Sequence, residues 1–291
     1  MTLHFTGRVQ KSGFKIAVVA LLLVLSGACS NTRLVYNYLD WIVGWHLDDY
    51  FELNRDQQHF YDTRLDALLT WHRHEQLAVY AAFIDGIRQD IACDLTAERI
   101  HDRYETLQQF WRDIMMTATP DIQALMLSLD AKQRQYFYRV WEKEQQQYEQ
   151  KYLRETPSER QRRLRRRMEK MLKRFTGRLT GPQKVMVENW SVALVPMQTL
   201  WLENRAGWLA VLKEALESAI ATGEKKEILR RLFVVPEQWW SDAYRNTVFQ
   251  NESVTMAMLA KMVENLSEKQ KKHLDKVLAR LKNDFIHLSK Q

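Results

Sequence analysis

Thr96-Ala97-Glu98-Arg99-Ile100-His101-Asp102-Arg103-Tyr104-Glu105-Thr106-Leu107-Gln108-Gln109-Phe110-Trp111-Arg112-Asp113-Ile114 sets Ile100, Tyr104, Leu107, Trp111 and Ile114 at a 4-3-4-3 spacing. At 3.6 residues per turn those side chains share one stripe among polar neighbours, the seam of a helix packed lengthwise on others. Thr96 supplies the oxygen that opens such a helix. The same pattern recurs between Leu266 and Leu288, where Leu274, Leu278, Leu281, Phe285 and Leu288 form one seam. Nine Gly and five Pro in 291 residues are too few for the frequent turns of an all-β fold, while good helix formers dominate. The chain therefore reads as all-α, an elongated multi-helix bundle, and 46 % apolar content suffices for a real core.

Working outward, Asn54 opens a long helical pattern through Phe60, Leu65, Leu68, Trp71, Val79 and Phe83, with a possible break at His72-Arg73-His74. Thr119-Pro120-Asp121 reads as the start of a short helix and Asp130 as the start of the next. Thr180 to Ala221 carries Pro196, whose missing N–H should kink or divide the helix. A short helix is expected around 225–233, and Pro236 starts another containing Trp239 and Trp240. Leu34 to Phe51 is dense in aromatics, with Tyr38, Trp41 or Ile42, and Trp45 on one face. That spacing does not by itself distinguish protein interior from bilayer; a core helix is the first expectation and a membrane-adjacent aromatic belt the alternative.

From Trp141 to Phe175 the chain turns highly charged, divided by the helix-start signal Thr156-Pro157-Ser158-Glu159. Two long, largely solvated helical arms are expected near 141–175. The second bears a stripe of Leu164, Met168, Met171 or Leu172, and Phe175. Around it lies a basic patch of Arg162, Arg163, Arg165, Arg166, Arg167, Lys170, Lys173 and Arg174. An N-terminal helical half at 34–155 and a C-terminal half at 156–291 follow from this division.

Four places share one spelling: Leu53-Asn54-Arg55-Asp56-Gln57, Leu129-Asp130-Ala131-Lys132-Gln133, Leu179-Thr180-Gly181-Pro182-Gln183 and Leu266-Ser267-Glu268-Lys269-Gln270. Each is Leu, a capping residue, two variable residues and Gln. The cap oxygen accepts from a first-turn N–H, Gln reaches back to the cap's own N–H, and Leu packs as a staple. These four read first as helix starts. The spelling also resembles the Leu-Thr-x-x-Gln element of Spy- and CpxP-type periplasmic chaperones, all-helical proteins that dimerise into a concave cradle with two elements per chain. That resemblance implies a fused pair of cradle-like halves joined near 154–158.

The N-terminus locates the protein. Arg8, Lys11 and Lys15 precede the apolar run Ile16 to Leu25 and the small residues Ser26, Gly27 and Ala28 before Cys29, a secretory signal too short for a membrane span. Leu25-Ser26-Gly27-Ala28-Cys29 resembles the lipobox of bacterial lipoproteins, with Ser26 where Leu is usual. The resemblance implies a signal peptide over 1–28, acyl chains such as palmitate on Cys29, and a short tether at 29–33 that keeps the body near the bilayer. Ser30 is not the Asp that resembles an inner-membrane retention signal, so the outer membrane is implied. Loss of residues 1–28 removes three cations and no acid, lowering the net charge from +7 to +4. With Cys29 lipidated, Cys93 has no internal partner for a disulfide and reads as a small buried residue. Finally, Arg33-Leu34-Val35-Tyr36-Asn37-Tyr38-Leu39-Asp40-Trp41, Leu47-Asp48-Asp49-Tyr50 and Trp71-His72-Arg73 resemble the Gram-negative lipoprotein family labelled domain of unknown function 6279. That family has no assigned activity.

Chemistry is sparse. His46-Leu47-Asp48-Asp49 and His72-Arg73-His74-Glu75 are the candidate metal or acid/base stretches, but in a helix His72 and His74 diverge by about 200°. Ala78 stands where a His-Glu-x-x-His site needs its second His. No Gly-x-Ser-x-Gly elbow, phosphate loop or dinucleotide fingerprint occurs, so neither an enzyme, a metal nor a cofactor is expected. Export removes nucleic acid as a partner for the basic patch, leaving lipid headgroups, lipopolysaccharide phosphates or acidic proteins. The expectation is a periplasm-facing outer-membrane lipoprotein acting by binding. A chaperone-like, envelope-maintenance role, with Met and aromatic side chains contacting unfolded clients, ranks first. A structural tether for a defined partner or anionic lipid ranks second.

Overall fold

The computed structural model describes residues 32–93 and 95–291, apart from the side chains of His46 and Asp48. The expected signal peptide over 1–28, the lipobox-like Leu25–Cys29 and the tether to residue 31 lie outside the described residues. The helices are α1 (Thr32–Asn37), α2 (Leu39–Asp48), α3 (Arg55–Trp71), α4 (Leu77–Cys93), α5 (Ala97–Ser128) and α6 (Ala131–Tyr152). They continue as α7 (Pro157–Thr176), α8 (Gly181–Ala193), α9 (Gln198–Glu217), α10 (Thr222–Val234), α11 (Asp242–Glu264) and α12 (Glu268–Leu288). A π-helical turn at His72–Gln76 joins α3 to α4, and a 3-10 turn at Pro236–Trp239 precedes α11. The described residues contain no strand, so the all-α bundle stands.

Several boundaries differ from the expectation. Pro120 does not start a helix; it sits inside α5, exposed, where its missing N–H leaves the Met116 carbonyl without its ladder donor, while the neighbouring Thr119 hydroxyl donates to the Met115 carbonyl. His72–Gln76 widens one turn without ending the helix. Pro196 does divide its pattern, and the break between α8 and α9 is pinned from α11. There the Val195 N–H donates to Asn251 Oδ1 at 2.8 Å, and Asn251 Nδ2 donates to the Val195 carbonyl at 3.0 Å. Cys93 is exposed rather than buried, because it ends α4. The arms at 141–175 are charged and mostly exposed or half-buried, anchored by the buried Trp141 and Tyr152 of α6 and Arg160, Met168 and Leu172 of α7.

The C-terminal seam finds its partners, whereas on α5 Phe110 and Met115 are buried and the spaced Ile100, Tyr104, Leu107, Trp111 and Ile114 are only half-buried. On α12, Leu274, Leu278, Leu281, Phe285 and Leu288 pack with Leu77, Tyr80, Ala81 and Ile84 of α4, Phe110 of α5 and Tyr36 of α1. Burying those five contributes on the order of 10 kcal/mol before chain entropy opposes it. A second core joins Tyr50 and Phe51 to Met126, Phe137, Trp141, Leu212 and Leu229. A third joins Met168 and Leu172 of α7 to Val187, Trp190, Met258 and Met262.

The two sides of the 154–158 turn repeat one topology while sharing the first two cores. In each, one element opens a helix (α3 or α8) that packs on a long helix (α5 or α11), and that long helix ends where the second element opens the last helix (α6 or α12). Each last helix then crosses to the opposite half: α12 lies on α4 and α6 on α9, while α5 packs against α11. The segment from α10 to the 3-10 turn is extra to the second half, with α10 lying on α5.

Candidate functional site

The four Leu-to-Gln elements meet in two pairs. In the first, Gln57 Nε2 donates to Gln133 Oε1 at 3.1 Å and Gln133 Nε2 returns a bond to Gln57 Oε1 at 2.7 Å. Each remaining amide proton goes to the carbonyl just before the partner's Leu, Ser128 at 2.9 Å and Glu52 at 2.6 Å. Each Oε1 also accepts its own cap N–H, from Asn54 and Asp130, both at 3.0 Å. The second pair repeats this, with Gln183 and Gln270 exchanging bonds at 3.0 and 2.9 Å. Their other protons reach the Asn265 and Arg178 carbonyls, and Thr180 and Ser267 supply the cap N–H groups.

Every donor and acceptor of the four amides is thus used inside the protein, where an unsatisfied one is costly. Glutamate replaces glutamine poorly here, since a carboxylate oxygen would stand where Nε2 donates and face two acceptors, the partner's Oε1 and a backbone carbonyl. The Thr156–Glu159 box makes the contrast: it stands alone and exposed, and there a carboxylate serves. Leu129, Leu179 and Leu266 are buried beside their caps as staples, and Leu53 packs partly buried on the second core.

On α7 the basic patch divides by helix face. Arg163 makes a bidentate pair with Glu155 at 2.7 Å and lies over the Tyr152 ring, and Arg165 reaches Glu188 at 3.2 Å. Arg174 is half-buried and Arg167 exposed. Arg162, Arg166, Lys170 and Lys173 are exposed, with no ion-pair partner among the described residues. Of the two stripe alternatives, Leu172 is buried and Met171 faces outward.

The aromatic segment also departs from expectation. Tyr36 and Leu39 are buried, but Tyr38, Trp41 and Trp45 are exposed, so the core-helix reading fails for those three. Beneath them His72 hydrogen-bonds the Tyr36 hydroxyl at 2.8 Å and packs against the Tyr36, Trp71 and Tyr80 rings. Burial holds its imidazole down at about 4, well below the ordinary histidine value, and lifts the Tyr36 phenol to about 12. His74 points away to the Thr70 carbonyl, as the spacing implied. Among the described residues no group of three potential metal-binding side chains assembles.

One buried charge cluster has no local sequence signal. Glu144 Oε2 accepts from Arg205 at 3.0 Å and from the Tyr50 hydroxyl at 2.7 Å. The Arg205 guanidinium stacks 3.7 Å from the Trp141 ring centre. Burial lowers the Arg205 pKa, while burial and then the Glu144 carboxylate raise that of Tyr50. Alongside runs an open groove of about 440 Å³ between α6 and α9, lined by Glu142, Gln145, Gln146, Glu149 and Lys213.

Among known proteins, the model of a family of unknown function (DUF6279) matches residues 49–245. No curated protein and no solved structure matches the chain. The match takes in three of the four Leu-to-Gln elements and the whole basic helix, and it begins after the Arg33–Trp41 string. Since it spans more than half of the chain, the protein belongs to this family of unknown function.

Proposed function

We propose that the protein is a lipid-anchored scaffold of the bacterial envelope, held at the outer membrane through Cys29, that binds an anionic surface along α7 rather than transforming a substrate. The supporting observation is the ridge of Arg162, Arg166, Lys170 and Lys173, exposed at a 4-4-3 spacing. Leu164, Met168, Leu172 and Phe175 fix the opposite face of the same helix on its neighbours. Four cations spread over about 16 Å of a pinned helix meet phosphates without first being ordered. Each is worth about 1 kcal/mol at an anionic bilayer, so together they strengthen binding by roughly a thousandfold at modest salt.

The test uses the full lipidated chain in neutral vesicles and scores capture of a second, anionic vesicle population. Capture should fall sharply at high salt and in Arg162→Gln/Arg166→Gln/Lys170→Gln/Lys173→Gln. Undiminished capture by that variant would remove the reading.

The two-half arrangement of paired elements favours a second reading, a chaperone-like cradle. Against it, Met168, Met256, Met258 and Met262 are buried and so offer clients little adaptable surface. Protection of an unfolded client from aggregation at near-stoichiometric ratio would support this second reading. No protection over a wide ratio range would end it.

A further inference from the structure

Leu34, Tyr38, Trp41 and Trp45 recur at a 4-3-4 spacing along α1 and α2 and are 53, 55, 67 and 55 % exposed. A single turn residue, Tyr38, joins the two short helices, its N–H donating to the Val35 carbonyl at 3.3 Å and its own carbonyl accepting from Ile42 at 3.0 Å. Trp41 and Trp45 stack on each other, ring centres 6.4 Å apart and planes at 7°, facing outward. The other side of these helices is fully used, since Tyr36 and Leu39 are sealed in the first core. Asp40 projects about 130° around the helix from the line.

We propose that this line is a bilayer-docking face, on which α1 and α2 lie flat in the headgroup layer of the membrane that holds the acyl chains. The proposal rests on the lipid-anchor reading above. Three residue steps separate Cys29 from Thr32, which allows at most about 10 Å between the acylated thiol's backbone and the start of α1. A face so close to the anchor meets lipid before it meets any other partner. Its chemistry suits that layer: Trp and Tyr rings bury an apolar body while keeping an N–H or O–H in reach of water and phosphate, and Leu34 adds a wholly apolar end. Such a face also explains why two stacked tryptophans are tolerated in the open, where a patch of this kind otherwise invites aggregation. No helix among the described residues is long and apolar enough to cross a membrane, so this contact is interfacial.

The test is tryptophan quenching of the full lipidated protein in vesicles whose lipids carry bromine at shallow or deep positions. Wild type should lose a clear fraction of its emission, most to shallow bromine, and Trp41→Phe/Trp45→Phe should lose at least threefold less. Phe at both positions leaves the buried cores untouched, which unchanged circular dichroism would verify. Mass spectrometry of the same sample reads the acyl chains. Acylated protein quenched equally in both forms would overturn the docking face alone. Protein without acyl chains would overturn the anchor and, with it, this proposal.

Discussion

Replacing Gln183, itself 1 % exposed, with Ala removes one half of a closed amide pair. The Thr180 N–H loses its acceptor, the Asn265 carbonyl its donor, and the Gln270 amide both of its side-chain bonds. Loss of the cap costs about 1 kcal/mol. The two side-chain bonds are worth about 1 kcal/mol each, and a Gln270 amide left half-satisfied adds roughly another 1. The sum, about 4 kcal/mol, corresponds to a melting temperature about 10 °C lower in a domain of this size. Urea unfolding of Gln183→Ala, Gln270→Ala and the double variant measures it, and the cycle is the sharper reading. With Gln183 gone, much of what Gln270 contributes is already lost, so the double variant should be about 2 kcal/mol more stable than additivity predicts. A single-variant loss under about 1 kcal/mol, or additivity within about 0.5 kcal/mol, would refute the reciprocal network.

Gln183→Glu should destabilise by about 3 kcal/mol at neutral pH and recover as the carboxyl protonates on acidification, while Glu159→Gln in the solitary exposed box should stay within about 0.5 kcal/mol; thermal melts against pH separate the two. His72 is held neutral by burial with a folded pKa of about 4, against the ordinary histidine value of about 6.5, so its contribution is fully present above about pH 6.5 and is lost as pH falls toward 4. The loss amounts to about 3 kcal/mol, and His72→Gln should flatten stability over that window. Arg205→Met leaves the Glu144 carboxylate without its cation and should cost about 3 kcal/mol in urea unfolding, with Arg205→Met/Glu144→Leu regaining most of it. Asn251→Leu frees both Val195 backbone groups and should cost about 2 kcal/mol, with faster amide exchange at the α8–α9 break.

Helix class and seams were legible because periodicity is local: the stripes at 274–288 and 164–175 are buried as spaced, and the four caps open their helices as spelled. What lies between elements was not. Gln57 meets Gln133 and Gln183 meets Gln270 across long stretches of chain, and only the recurrence of Gln, never Glu, in all four elements hinted that the amide mattered. Tyr50, Glu144 and Arg205 carried no such hint, since nothing local to any of them signals a buried charge. Pro120 misled because a proline early in a helix and one inside it look alike until the neighbouring threonine's bond is seen. Tyr38, Trp41 and Trp45 misled because spacing shows that side chains share a face, not whether protein, lipid or water lies against it.

The proposed role stands on acylation at Cys29, which would place the basic ridge and the aromatic line at a membrane. Intact-mass measurement of the protein purified from a Gram-negative host should show residues 1–28 removed and acyl mass added, with Cys29→Ser retaining the leader and gaining none. A mature chain without acyl mass, or the same acyl mass on Cys29→Ser, would contradict it.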